Sequence, residues 1–416
     1  MKSTACRTLF GMILTVWLTG CMPSAAVSWS PDGTRGIYIV CRENQTNKAF
    51  AGDGFVIDPA GKILAELGTV NPSWGMQGLT SVAWADDSKS MYFVAVADRT
   101  DGQLELARDW SDTTRVHPPY KSESMTGDSV LSVWDRAKAT PLVRLSDRLV
   151  ADLKRSPDGR WIAFTAGHFG DEHAELFAWN VGRKQLFRID GDVEPNICFT
   201  GPHRLAWVRI PDNHFPAELV EATPETDAEK IVPTVLAEVI PGENGFMTPA
   251  PPGGKGDGIL FLTARKAFPA KPPSKATSAI ELASLCRWDR ATGDVSVLTD
   301  NLYAMTPSPD GKTLLCLASD GDKNWVEFGD PDGTHARHLA EFDAEKIPAL
   351  PTWHGNDRLT MSAGPGVAGD DGVEIFELTD RPVTPDGKLG PAVVLSKGWD
   401  PKRKPWFKKG NFSDVH

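Results

Sequence analysis

Short apolar stretches alternate with tight polar turns along most of the chain. "VSWSPDGTRGIYIV" begins at Val27, "LKRSPDGRWIAFTA" at Leu153 and "MTPSPDGKTLLCLA" at Met305. Looser versions are "VAWADDSKSMYFVA" from Val82 and "PTWHGNDRLTMSA" from Pro351, and the loosest are "NICFTGPHRLAWVRI" from Asn196 and "MTPAPPGGKGDGILFL" from Met247. Each predicts a short strand, a tight turn and a second apolar strand. In Ser-Pro-Asp-Gly, Pro pre-sets φ at the second turn position, Asp suits the third and Gly accepts the fourth. The recurring Asp is therefore read as a turn residue and not as a calcium ligand.

A second half-repeat follows the first. "SVLSVWDRAKATPLVRLSD" from Ser129, "ELFAWNVGRKQLFRID" from Glu175 and "SLCRWDRATGDVSVLTD" from Ser284 share one form. That form is an apolar strand, Trp-Asp or Trp-Asn, a turn, and a strand ending in Asp. Two halves make one four-stranded antiparallel meander, and seven such units fit between Val27 and Asp400. A meander apolar on both faces cannot stand alone, but a ring of them can, because each sheet packs on two neighbours. The prediction is an all-β, seven-bladed β-propeller over residues 27–400. Six or eight blades are the alternatives, since the fourth and fifth units are the weakest.

The Ser-Pro-Asp-Gly units resemble the TolB-type propeller repeat, which also occurs in the propellers of prolyl oligopeptidase-like enzymes. The resemblance covers nearly all of residues 27–400 and implies a fold rather than a function. TolB carries an α/β domain ahead of its propeller, whereas here the first predicted strand begins six residues after Cys21. No stretch of the length of an oligopeptidase hydrolase domain is left over. Residues 22–26 are too few to supply an outer strand to the last blade, and "AVVLSKG" from Ala392 is that blade's own candidate fourth strand. The ring is expected to close by face-to-face packing alone.

Residues 1–20 read as a signal peptide: Lys2 and Arg7, an apolar run from Leu9 to Leu18, then Leu18-Thr19-Gly20-Cys21. This resembles the bacterial lipobox, in which the Cys thiol takes a diacylglyceryl group as a thioether. Cys21 is the expected lipidation site, residues 21–26 the tether, and the bacterial cell envelope the expected location. Met22 in place of Asp implies the outer membrane where the host has one. Cys41, Cys198, Cys286 and Cys316 lie in apolar runs without Cys-x-x-Cys spacing and read as buried thiols, with one disulfide of unassigned pairing as the alternative in an oxidising envelope.

Composition sharpens the picture at two points. Gly 38, Pro 32 and Trp 14 suit many turns and short strands, and the formal net charge of −11 argues against a nucleic-acid partner. Residues 401–416 form a basic tail against that acidic background, carrying Lys402, Arg403, Lys404, Lys408 and Lys409.

Chemistry is less legible. There is no G-x-S-x-G, H-E-x-x-H or P-loop. Gly127-Asp128-Ser129-Val130 has the letters of an esterase block but opens a predicted third strand. The candidates lie in loops on one face of the ring, here called the top. They are His168, Asp171 and His173 in blade 3, His214 in blade 4, and Trp110, His117 and Tyr120 in the long loop Asp98–Asp128 of blade 2. These residue types suit ligand binding, and His with carboxylate also suits acid–base work. His335 and His338 are placed on an outer strand of blade 6, facing solvent. Neither a catalytic set nor a metal or other cofactor is assigned. The expected partner is an envelope protein, peptide or glycan meeting the top face of a monomer, and a top-face lyase or hydrolase is the rival reading.

Mass spectrometry of the N-terminal peptide should show an acylated Cys21, and Cys21→Ala should leave the protein unprocessed or released from membranes. An unmodified Cys21 with cleavage elsewhere contradicts the lipid anchor.

Overall fold

The computed structural model describes residues 25–41, 52–70, 82–97, 128–136, 138–145, 148–167, 174–211, 216–224, 231–239, 247–250, 257–264, 283–319, 323–331, 336–343, 351–368, 374–384 and 387–396. Blade 1 comprises β1 (Ala25–Trp29), β2 (Gly36–Cys41), β3 (Gly52–Ile57) and β4 (Ile63–Val70). Blade 2 comprises β5 (Val82–Trp84), β6 (Met91–Ala97), β7 (Asp128–Trp134) and β8 (Ala139–Leu145). Blade 3 has β9 (Leu149–Arg155), β10 (Trp161–Gly167), β11 (Ala174–Asn180) and the first half of β12 (Gln185–Phe199). The second half of β12 is the innermost strand of blade 4, followed by β13 (Leu205–Arg209), β14 (Ala217–Ala222) and β15 (Thr234–Val239).

The same sharing joins the next pair. Blade 5 has β16 (Met247–Pro249), β17 (Gly258–Ala264), β18 (Ala283–Asp289) and the first half of β19 (Val295–Pro307). Blade 6 takes the second half of β19, then β20 (Leu314–Ser319), β21 (Lys323–Gly329) and β22 (Arg337–Asp343). Blade 7 has β23 (Thr352–His354), β24 (Arg358–Ala368), β25 (Glu374–Pro382) and β26 (Val393–Val394). All pairings are antiparallel, so the twenty-six described strands form seven four-stranded meanders. The protein is a seven-bladed propeller.

The core is divided among the junctions between blades. Each of seven apolar clusters draws its residues from two neighbouring blades, and together they cover every junction of the ring. Strand β10 shows why its sequence is apolar throughout. Ile162, Phe164 and Ala166 pack toward blade 2, while Trp161 and Ala163 pack toward blade 4. Successive side chains point to opposite faces of a strand, and here both faces are covered. Cys198, Cys286 and Cys316 are free thiols buried in these junctions, and burial pushes the Cys286 thiol up to about 11.

The Ser-Pro-Asp-Gly turns behave as local chemistry dictates. Ser30 Oγ donates to Asp32 Oδ1 (2.7 Å) and accepts from Arg35 N–H (3.1 Å), while Asp32 Oδ1 accepts from Thr34 N–H (3.0 Å). Ser156 with Asp158 and Ser308 with Asp310 repeat the arrangement. Gly33, Gly159 and Gly311 take φ of 66°, 71° and 69°, a region that favours glycine. The Trp-Asp and Trp-Asn pairs serve the opposite hairpin. Asp135 accepts from Lys138 N–H (3.3 Å), Asn180 from Arg183 N–H (2.8 Å) and Asp289 from Ala291 N–H (2.8 Å), and the preceding tryptophans are buried.

Two units that lack the Ser-Pro-Asp-Gly letters replace the turn carboxylate with one from a third strand. Thr200 occupies the Ser position of blade 4 and donates to Glu221, which also receives both terminal nitrogens of Arg290 from blade 5 (2.9 and 2.6 Å). His354 occupies the Ser position of blade 7 and meets Asp380 Oδ2 through Nδ1 (3.0 Å).

The ring closes differently from the sequence expectation in one respect. β26 is blade 7's own outer strand, as expected, and Leu378 and Leu395 pack with Val27, Trp29 and Phe55 of blade 1. Face-to-face packing is not alone, however. Trp29 Nε1 donates to Thr360 Oγ1 (2.7 Å), and its ring stacks on His354 at 3.8 Å. The same repeat position supplies Trp84, which donates to the Ser28 carbonyl, and Trp353, which donates to the Thr306 carbonyl. A buried indole needs an acceptor, and at these three positions the preceding blade provides it.

Gly61 tests the closure. It has φ of 79°, and a Cβ there would lie 1.9 Å from the Leu395 carbonyl oxygen, whereas Gly293, at 76°, has open space. Gly293→Ala should cost about 1 kcal/mol from backbone strain alone, and Gly61→Ala at least about 3 kcal/mol, by urea unfolding. Equal costs would contradict the close approach of blade 7 to blade 1.

Candidate functional site

The top of the ring is the end where β12 and β19 cross from one blade to the next. At blades 3 and 4 this crossing gathers a charged network. Arg148, just before β9, and Arg188, on β12, both pair with Glu175 at the start of β11, the second through Nε at 2.7 Å. The Arg148 guanidinium also lies over the Phe177 ring, 5.5 Å from its centroid. Farther along β12, Asp190 Oδ2 accepts from Trp207 Nε1 (2.9 Å) and from Arg209 Nη1 (3.4 Å). Arg209 reaches Glu218 Oε2 with Nε (3.0 Å) and Nη2 (2.6 Å). Burial alone would lower the Arg209 pKa, but its bonds to Glu218 and Asp190 outweigh that and raise it.

The terminal Asp of the second half-repeat thus has a structural task, which is to tie the crossing strand to the next blade. Asp300, the matching Asp on β19, differs: it accepts from Ser284 Oγ (2.5 Å) on β18 and so ties the crossing strand to its own blade 5. Beyond Asp190 the chain bulges, with the register slipping between Val193 and Ile197. Glu194 sits in that bulge. The residue is not fully covered, yet burial around its carboxyl pushes the pKa up to about 7. Beneath the crossing, Asp152 of blade 3 accepts from Ile197 N–H of blade 4 (3.3 Å) and pairs with Lys154 Nζ (2.9 Å).

The candidate residues from the sequence stand in a plain relation to this frame. His168, Asp171 and His173 fall between the ends of β10 and β11, and His214 between the ends of β13 and β14. Trp110, His117 and Tyr120 fall between β6 and β7. All seven lie outside the described residues, as do Cys21 and the tail 401–416. What is described is the strand ends that carry them, and those of blades 3 and 4 border the charged network. Asp128 pairs with Arg144 (2.6 Å) and Ser129 is buried, so the esterase-like letters are part of the blade. His338 stacks on Trp325 from an exposed position on β22, as expected, and His335 lies outside the described residues.

No protein-family model matches the chain, and no curated protein matches it. Solved structures of similar shape include an oligogalacturonate lyase in complex with manganese, at 10% identity and a TM-score of 0.51, covering 89% of each chain. TolB from Acinetobacter baumannii matches at 12% identity and a TM-score of 0.41, covering 88% of this chain and 80% of that one. Prolyl oligopeptidase B from Galerina marginata matches at 11% and 0.49, and the chain spans 48% of its length. The likeness to the lyase is one of fold. Among the described residues of this chain, no group of three His, Cys, Asp or Glu side chains could hold a metal ion.

Glu194 and the Asp190–Arg209–Glu218 network escaped the sequence reading. Asp190 was visible as the repeated terminal Asp. Glu194 has one signal, a carboxylate where the matching crossing of β19 has Tyr303. Its titration gives a sign that can be checked. An unfolded Glu titrates near 4.3, so between about pH 4.3 and 7 the folded chain holds the extra proton and stability falls as pH rises. Glu194→Gln should be more stable than wild type by roughly 2–3 kcal/mol above about pH 8, with the difference shrinking toward about pH 4. Urea unfolding of both proteins across that range measures it, and a pH-independent difference contradicts the assignment.

Proposed function

We propose that the chain is a lipid-anchored cell-envelope propeller that binds a protein, peptide or glycan partner on its top face, above blades 3 and 4. The observation that carries this reading is the concentration of Arg148, Arg188 and Arg209 with the carboxylates of Glu175, Asp190 and Glu218 at that crossing, whose strand β12 also bears Glu194, a carboxyl that burial pushes up to about 7. Ionisable groups moved toward neutrality gather at functional sites because binding or chemistry uses their change of charge. The network also holds the strand ends rigid, and rigid strand ends position the loops that bear His168, Asp171, His173 and His214.

The same carboxyl favours a second reading, an enzyme. A Glu that is half protonated near pH 7 suits a general acid or base. Glu194→Gln separates the two: a scaffold keeps partner binding with an altered pH dependence, whereas an enzyme loses turnover while still binding.

Location on the ring is tested by photo-crosslinking in intact envelopes. The crosslinking residue would be placed at Arg188 or Glu218 on the top and at Arg160 or Lys312 on the opposite face. Adducts are expected from the top positions only. Adducts from Arg160 and Lys312 alone, or equal yields from both faces, would overturn the top-face assignment.

A further inference from the structure

One imidazole lies across the junction of blade 7 with blade 1. His354 is buried, with its side chain 8% exposed, and its partner Asp380 is buried at 2%. Nδ1 lies 3.0 Å from Asp380 Oδ2, and Nε2 lies 2.8 Å from the carbonyl oxygen of Gly33, across the junction in blade 1. The ring is stacked on Trp29, nearly parallel at 9°. Asp380 Oδ2 also accepts from Arg358 Nε (2.7 Å) and Oδ1 from Thr360 Oγ1 (3.1 Å). Burial raises the Asp380 pKa, but hydrogen bonds from His354 and Arg358 outweigh it and hold the group below its ordinary value, so it is a carboxylate.

A carbonyl oxygen and a carboxylate both only accept. Each ring nitrogen of His354 therefore faces an acceptor, and only a ring carrying both protons satisfies the two contacts together. A neutral ring turns a lone pair toward Asp380 or toward the Gly33 carbonyl, in a place where an unmade hydrogen bond is costly. We propose that the junction of blade 7 with blade 1 is a proton-operated latch, closed while His354 carries both ring protons and loosened when one leaves.

The groups packed around the imidazole come from both blades. From β24 comes Arg358, charged at all accessible pH, and from β25 the Asp380 carboxylate. Asp357 belongs to the exposed turn of the same hairpin. From blade 1 come the Trp29 ring and the Gly33 carbonyl, while Asp32 spends its Oδ1 on Ser30 and Thr34. Histidine ordinarily changes charge between about pH 5 and 8. The closed junction uses a proton that the opened junction releases to water, so by linkage the closed form loses ground as pH rises.

Hydrogen exchange of the full chain, corrected for intrinsic rates, tests the latch. Protection of the peptides covering β1 and β23 should fall about tenfold between about pH 6 and pH 8.5 relative to β10, and His354→Gln should abolish that difference. Equal protection of β1 and β23 at both pH values, or the same fall in His354→Gln, would overturn the proposal. If His354→Gln does not fold, the wild-type protein still decides the matter. With 15N-labelled histidine, the imidazole shifted upfield by the Trp29 ring should show two protonated nitrogens at about pH 6. A neutral tautomer there would contradict the latch.

Discussion

The constraint on which the structure depends is that a four-stranded sheet with two apolar faces must be covered on both. Among the described residues no blade has a core of its own; each of the seven apolar clusters belongs to a pair of blades. The ring is the arrangement in which every sheet finds two neighbours and no apolar face is left over. That accounts for second strands that read as continuous apolar runs. It also makes the polar contacts secondary in driving force but primary in register. The tryptophans at positions 29, 84 and 353 each send an indole N–H into the preceding blade, fixing how one sheet sits on the next.

Repeat decay has followed a physical rule. Where Ser-Pro-Asp-Gly is intact, the carboxylate that organises the turn comes from the turn itself. In blades 4 and 7 it comes from the third strand, as Glu221 or Asp380, and meets an Arg and a hydroxyl or imidazole. Truncating one partner of so covered a pair costs more than losing a turn Asp, because a carboxylate is left behind with its bonds unmade. Blades 4 and 7 are thus held here by long-range contacts, whereas the regular turns, and the looser turn of blade 2 through Asp87 and the Lys89 N–H (2.9 Å), are held by local ones.

This difference explains how far the sequence could be read. Turn chemistry and strand patterning are local, so the all-β fold, the meanders, the number of units and the strand after Ala392 were legible. The roles of Glu221 and His354 in joining blades, and of Asp380 in holding His354, were not, because their partners lie at least twenty residues away in the chain or in another blade. Glu194 was hidden for a similar reason: its environment is made by a bulge and by neighbours that no periodicity announces. The loop candidates stand out in the sequence by residue type alone, and the described strand ends of blades 3 and 4 flank four of them.

The central claim is that the ring is closed by blade 7's own last strand and its packing on blade 1, and that all seven junctions depend on that closure. A chain ending at Pro391, which lacks β26 and Leu395, can be compared by urea unfolding with one ending at Ser396. The account predicts that the shorter chain loses most of its stability, in a single transition that includes blades 3 and 4. Unchanged midpoints for the two chains would contradict it.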